Sequence, residues 1–357
     1  MLWKSLSVIA LAALTAGTPR LLARAQEKDA PETQGLARLA EGRIAVANRG
    51  SASISVIDTR TGTPQTIAMP AGERTPEPMY IVYSPVRHRV FVGDRANNRV
   101  VVFRAQDFSV ETAVPVGNGV FHMWAAHPWR QLWVVNDLDR TVTVIDTWSL
   151  AVIARLAMPA DLVALGGMPH DVILDPVAPA AWVSMLGFPG SEDYVIKYNT
   201  VSLREEARQR VGKDPHLSLS WRNRFLYVPC QRSNGVFVLN RRSLALRTRI
   251  DVPGAHGAGM TVSGRTFYTT NFASTGMNGL FAIDTRTNTV KSATHTPFAA
   301  PHNIAVTPDG RKIYVTHSGM NSQVSVYEVP GAAAAPRLLH TITVGQNPFG
   351  VEFLPDE

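Results

Sequence analysis

Cysteine is nearly absent: Cys230 is the only one in 357 residues. A single thiol excludes an internal disulfide framework, so stability has to come from the core. It also excludes covalent haem attachment through CxxCH. No Walker loop, dinucleotide fingerprint or serine elbow occurs. Long hydrophobic runs are missing beyond Leu6 to Ala16, a stretch too short to span a bilayer. Runs of one charge are missing as well. The 35 Lys and Arg residues exceed the 28 acids for a net charge of +7, but they are scattered. Without a basic stripe interleaved with aromatics, nucleic-acid binding is not expected.

What is present begins with an export signal. Lys4 precedes the apolar run, and Ala23-Arg24-Ala25 supplies a small-x-small cleavage site. Residues 1–25 therefore read as a signal peptide and 26–41 as a polar, flexible tether. Residues 42–357 read as one domain in a periplasmic or secreted protein, with no integral membrane segment after cleavage. Loss of Lys4, Arg20 and Arg24 lowers the net charge to +4.

The domain repeats. The start of one strand recurs as EPMYIVYSP, VFHMWAAHP, MPHDVILDP, DPHLSLSW, GAHGAGMTVSG, PHNIAVTPDG and NPFGVEFLPD. Measured at Met79, His122, His170, His216, His256, His302 and Phe349, the spacings are 43, 48, 46, 40, 46 and 47 residues. Second strands (RIAVAN to KIYVTH) and third strands (ISVID to VSVYEV) also occur in seven copies, with turns such as Thr307-Pro308-Asp309-Gly310 between strands. That period matches one four-stranded propeller blade. The domain enters at a second strand, Arg43, and ends on a lone first strand. Pairing those ends closes the ring without an open edge. The expected fold is an all-β, seven-bladed β-propeller with four-stranded blades, closed by N-terminal strands pairing with the C-terminal strand.

The strings YVTH, YTTN, AVTPDGRKIYVT, ISVIDTRTGT and FAIDTRTNTV resemble the YVTN-repeat β-propellers of exported bacterial proteins, over residues 43 to 355. Propellers of this kind include the haem-carrying domain of cytochrome-type nitrite reductases and lactonase-like enzymes. The copper-bearing propellers of nitrous-oxide reductase and thiocyanate dehydrogenase are a more distant likeness. The resemblance is specific for fold and weak for function.

First strands of propeller blades line the channel. The inner ring of equivalent positions thus comprises Phe349, Met79 and five consecutive histidines: His122, His170, His216, His256 and His302. These five are candidate metal ligands, while a packing role inherited with the ancestral blade is the alternative. An outer ring follows 14 or 15 residues later: Asn48, Asp94, Asn136, Met185, Cys230, Asn271 and His317. Within it, His317, Cys230 and Met185 are less certain ligands that suit soft or borderline metals, and packing is again the alternative. Neutral imidazoles with a thiolate or thioether point to copper, with zinc second. Asp171 and Asp214, beside His170 and His216, are placed to orient ligating imidazoles or to cap a turn. His88, His127, His295 and His340 are expected to be structural. Trp129, Trp133, Trp182 and Trp221 are expected between blades. Ser184 and Ser218 lie near histidines without a visible base, and the loop Gly187 to Gly190 is either an overhang at the mouth or a long turn.

Three functions fit. The first is an exported metal-binding propeller, acting as a redox enzyme or a metal carrier. The second is a non-catalytic module that binds a small ligand in the channel or a periplasmic protein partner. The third is a lactonase-like or lyase-like enzyme, for which the inner ring offers no carboxylate and the outer ring only Asp94.

Overall fold

The computed structural model describes residues 41–356, apart from 127–128, 220–221, 223 and 273–276. The expected signal peptide, nearly all of the tether, His127 and Trp221 lie outside the described residues. Seven antiparallel sheets of four strands follow one another along the chain. Their inner edges meet around a ring, with blades 3 and 4 joined by the Leu217 N–H on Asp171 Oδ2. We number the blades by these strands: Pro78–Ser84, Val120–Ala126, Met168–Leu174, Ser218–Leu219, Ala255–Met260, Pro301–Val306 and Pro348–Pro355. Blade 7 joins both ends of the domain. Pro348–Pro355 pairs with Gly42–Asn48, which is followed by Ser53–Asp58 and Pro64–Ala68. The seven-bladed, four-stranded propeller expected from the repeat is the fold observed. No described helix is long and apolar enough to cross a membrane.

Each blade is covered on both faces by its neighbours, so its middle strands are buried at nearly every position rather than at alternate ones. Arg89–Asp94 (RVFVGD) is buried at every position. The outermost Arg337–Thr343 is mostly exposed. Trp133 and Trp182, both at 0% exposure, fill the spaces between blades 2 and 3 and between blades 3 and 4. Trp129 packs beside the first of these and donates its indole N–H to Asp175 O at 3.1 Å. Both are the inter-blade positions expected. The sharp turn after the blade 6 inner strand closes through Gly310, at φ +73°, whose N–H reaches Thr307 O at 2.8 Å.

One irregularity recurs where the chemistry lies. The inner strand of blades 1, 2, 3, 5 and 6 slips register at its start: Pro78/Ile81, Val120/Met123, Pro169/Val172, Ala255/Ala258 and Pro301/Ile304. In blade 4 an isolated bridge, Pro215 to Cys230, and the His216 N–H on Pro229 O at 2.8 Å hold this region. A bulge re-aims the side chain it carries. Here the bulged residues are the inner ring.

Candidate functional site

The bulges are pinned by hydroxyls on the neighbouring second strands. Ser184 Oγ accepts the Asp171 N–H at 3.0 Å and donates to Pro215 O, in the next blade, at 2.8 Å. Thr270 Oγ1 accepts the Gly257 N–H and donates to His302 O, both at 2.9 Å. Thr316 Oγ1 accepts the Asn303 N–H at 3.0 Å and donates to Phe349 O at 2.9 Å. Each hydroxyl satisfies a bulge N–H that the ladder has abandoned and ties one blade to the next. Ser184 is therefore a clip. Ser184→Ala is expected to cost about 1–3 kcal/mol in urea denaturation, since it strands a buried donor and acceptor. A change below about 0.3 kcal/mol would show that the clip is dispensable.

The five histidines follow one another around the channel. Ring centroids are 5.3 Å apart for His122 and His170, 4.7 Å for His170 and His216, 4.1 Å for His216 and His256, and 4.8 Å for His256 and His302. They do not all meet at one point. His122, His170 and His216 each offer a ring nitrogen, and these nitrogens lie within 4.8 Å of one another. The closest approach is His170 Nε2 to His216 Nε2, at 3.4 Å.

Asp171 fixes the geometry of this trio. Its Oδ1 accepts the Nδ1–H of His122 at 2.8 Å and the backbone N–H of Val172 at 2.7 Å. Its Oδ2 takes the Leu217 N–H from blade 4 at 2.8 Å. The His122 proton is thereby assigned to Nδ1, and Nε2 is left buried without a partner. Asp214 Oδ1 lies 3.6 Å from His170 Nε2 and 3.9 Å from His216 Nε2. Burial raises the Asp214 pKa above the ordinary carboxyl range. Burial, reinforced by neighbouring imidazoles, holds His170, His216 and His256 well below the usual histidine value. The neutral imidazole, with one N–H and one lone pair, is thereby the favoured form of each.

Beneath the cluster lies a channel cavity of 210 Å³ lined by Tyr80, His122, Asp171, His216, His256 and Glu352, among others. Tyr80 lies over His122 with ring centroids 3.7 Å apart. Glu352 was not singled out from the sequence. Desolvation lifts its pKa to about 8, so it is largely protonated at pH 7. A signal existed: three residues after each ring position the chain reads Val82, Ala125, Ile173, Leu219, Gly259 and Ala305, then Glu352.

The outer ring has other work. Cys230 is fully buried, with its thiol directed to Val228 O at 3.5 Å, and burial pushes that thiol's pKa up. Met185 fills the core between blades 2 and 3. His317 spends both nitrogens, Nδ1 on Ala299 O at 3.2 Å and Nε2 on Ser325 Oγ at 2.7 Å. None of the three belongs to the group whose nitrogens converge. Asn136, Asn271 and Asp94 likewise accept from the following strand, at Thr143, Gly279 and Arg99, and Asn48 donates to Ser55 Oγ. Of the remaining histidines, His88 is an exposed partner of Tyr83 OH. His295 and His340 lie on outer strands. In the Gly187 to Gly190 loop, Phe188 is buried against Tyr194 and its carbonyl holds Lys213 Nζ at 2.6 Å, so this segment packs as a turn.

His317 carries a pH signature. Burial depresses its pKa to about 4, against about 6.5 in an unfolded chain. The neutral form it favours is fully present above pH 6.5, and the stability it contributes is lost as pH falls from there through 4. The loss amounts to about 3 kcal/mol. His317→Asn, which installs the residue found at three equivalent positions, is expected to flatten this part of the stability curve between pH 7 and 4. Parallel curves for the two proteins would refute the assignment.

Comparisons with known proteins bear on what such a site does. A family model described as "Lactonase, 7-bladed beta-propeller" matches residues 3–249. Among solved structures, the periplasmic gluconolactonase of Pseudomonas aeruginosa superposes with a TM-score of 0.69 at 19% identity, covering 88% of this chain and 99% of that one. A putative 6-phosphogluconolactonase from Bacteroides uniformis gives 0.68 at 17% identity, over 88% of this chain and 100% of that one. Hydrazine synthase of Kuenenia stuttgartiensis gives 0.65 at 15% identity, over 76% of this chain and 87% of that one. At such identities the shared property is the fold. No curated protein matches the chain in sequence.

Proposed function

This chain belongs to the seven-bladed β-propeller lactonase family, and on that premise we propose that it opens the ring of a lactone at the channel cluster, with a zinc ion held by His122, His170 and His216. The observation that carries this reading is the convergence of three ring nitrogens within 4.8 Å while Asp171 leaves His122 Nε2 buried and unpartnered. Buried polar atoms seldom go without a partner. Family membership favours hydrolysis over the redox or carrier role. The sequestration of Cys230 and Met185 removes the soft ligands that favoured copper. Three imidazoles with a nearby carboxylate form a donor set typical of hydrolytic zinc.

A bound divalent ion acidifies water and polarises an ester carbonyl. The chain's own residues supply the rest. Asp171 holds His122 in one tautomer and, through its bond to Leu217 N, keeps blades 3 and 4 in register. Asp214, with its raised pKa, accepts the proton of the attacking water. Water oxygen adds to the carbonyl carbon, the ring C–O bond breaks, and Asp214 returns the proton to the departing alkoxide. The product is the open hydroxy acid. Tyr80 and the cavity walls limit the water that reaches the site. The export segment expected at residues 1–25 supports an activity outside the cytoplasm.

The test is hydrolysis of δ-gluconolactone and 6-phosphogluconolactone by the zinc-loaded protein, followed as acid release against the buffer rate. Acceleration that disappears on chelation and returns with zinc is expected. Rates no faster than buffer on these and on simple aliphatic lactones would overturn the reading.

A further inference from the structure

The trio accounts for three of the five ring histidines and leaves a pair. His302 is 5% exposed, and one nitrogen engages the backbone of Phe349. Its Nδ1 is buried and has no partner. The nitrogen bonded to a carbonyl carries the proton, so Nδ1 is a bare lone pair. His256 Nδ1 is also buried and unpartnered. The two rings face each other at 4.8 Å, and His216 stands 4.1 Å from His256 on the side of the trio. Aromatic walls close the outer side, Phe349 at 3.9 Å from His302 and Phe272 at 5.1 Å from His256.

The backbone is built to bring this pair together. A Cβ on Gly257 would lie 1.7 Å from His302 O, so any other residue would force blades 5 and 6 apart. Thr270 Oγ1 clips the same two strands, between the Gly257 N–H and His302 O. Glycine and clip hold two unpartnered ring nitrogens in a pocket walled on the outer side by aromatic rings. Leaving both without a donor or cation costs free energy.

We propose that His256 and His302 form a second cation subsite beside the trio, so that the loaded channel holds two zinc-class ions. This rests on the trio being a metal site, and it deepens that reading from one ion to two. The paired arrangement is one in which hydrolytic centres clamp both the attacking and the departing oxygen. With two protein ligands instead of three, the second ion binds more weakly than the first.

The experiment is a zinc titration of the chelator-treated, full-length mature protein, read by calorimetry and by elemental analysis after desalting. Two equivalents are expected, in a tight and a weaker step. His256→Ala and His302→Ala should each remove the weaker step and keep the tight one. His302→Phe, which copies the residue that blade 7 carries at Phe349, guards against a loss caused by misfolding. One equivalent in the wild type, unchanged in these variants, overturns the second subsite and leaves the trio standing. Two equivalents that survive His256→Ala and His302→Ala place the second ion elsewhere and overturn it as well. No zinc at all overturns both the pair and the trio.

Discussion

Replacing His122, His170 and His216 together by alanine is expected to abolish tight zinc binding and to lower lactone hydrolysis at least ~1,000-fold. A metal-ion site contributes several kcal/mol of transition-state stabilisation, and each 1.36 kcal/mol is about tenfold in rate. The fold should survive. Asp171 keeps the N–H donors of Val172 and Leu217, and the hydroxyl clips at Ser184, Thr270 and Thr316 do not touch the three imidazole rings. A milder variant separates orientation from ligation. Asp171→Asn leaves one acceptor oxygen for the N–H groups of His122, Val172 and Leu217, loosens the hold on the His122 ring, and should weaken zinc about 10–100-fold while leaving the ligands in place. Elemental analysis, hydrolysis rate and the thermal transition, measured on the same preparations, decide the matter. A triple variant with wild-type hydrolysis would show that the channel histidines are packing inherited with the blade.

Deleting residues 348–357 should have the largest effect on the fold itself. The lost segment supplies the inner strand of blade 7, which pairs with Gly42–Asn48 from Gly42↔Pro355 to Asn48↔Pro348. Leu354, at 0% exposure, packs with Ala45, Val56 and Ile81, and Phe349 packs with Met79 and Tyr80. Full burial of a leucine or phenylalanine is worth about 1.5–3 kcal/mol each. The ladder lost with them and the newly open edge bring the deficit close to the ~5–15 kcal/mol that stabilises an ordinary domain. The expected outcome is an aggregating protein without a cooperative thermal transition. A soluble truncation that melts within a few degrees of the full chain would mean that the other six blades hold the ring without their clasp.

Much of this architecture was legible in the sequence because a propeller repeats one local unit. Strand alternation, turn chemistry and a spacing of 40 to 48 residues specify a blade, and the missing first strand at Arg43 with the extra one at Pro348 specifies the closure. The inner ring was legible for the same reason: equivalent places in equivalent units face the same channel. Function was less so. Cys230 and His317 occupy one phase of the repeat with Asn48 and Asn136, and chemistry alone made them resemble ligands. The fold turns every side chain of that phase into the space between blades and loops, where His317 does the hydrogen bonding that asparagine does elsewhere. Glu352 stands at a place that is apolar or small in the six other blades, so it could have been found by aligning the units.

The blade, the number of blades, the closing strand and the ring of five histidines follow from periodicity within one unit and can be read without coordinates. The convergence of His122, His170 and His216, with His256 and His302 outside that group, came from the packing of the blades. That division depends on how closely neighbouring blades approach. The approach is set by contacts across blade boundaries, from Asp171 to Leu217, from Ser184 to Pro215 and from Gly257 to His302, between residues 31 to 46 positions apart in the chain.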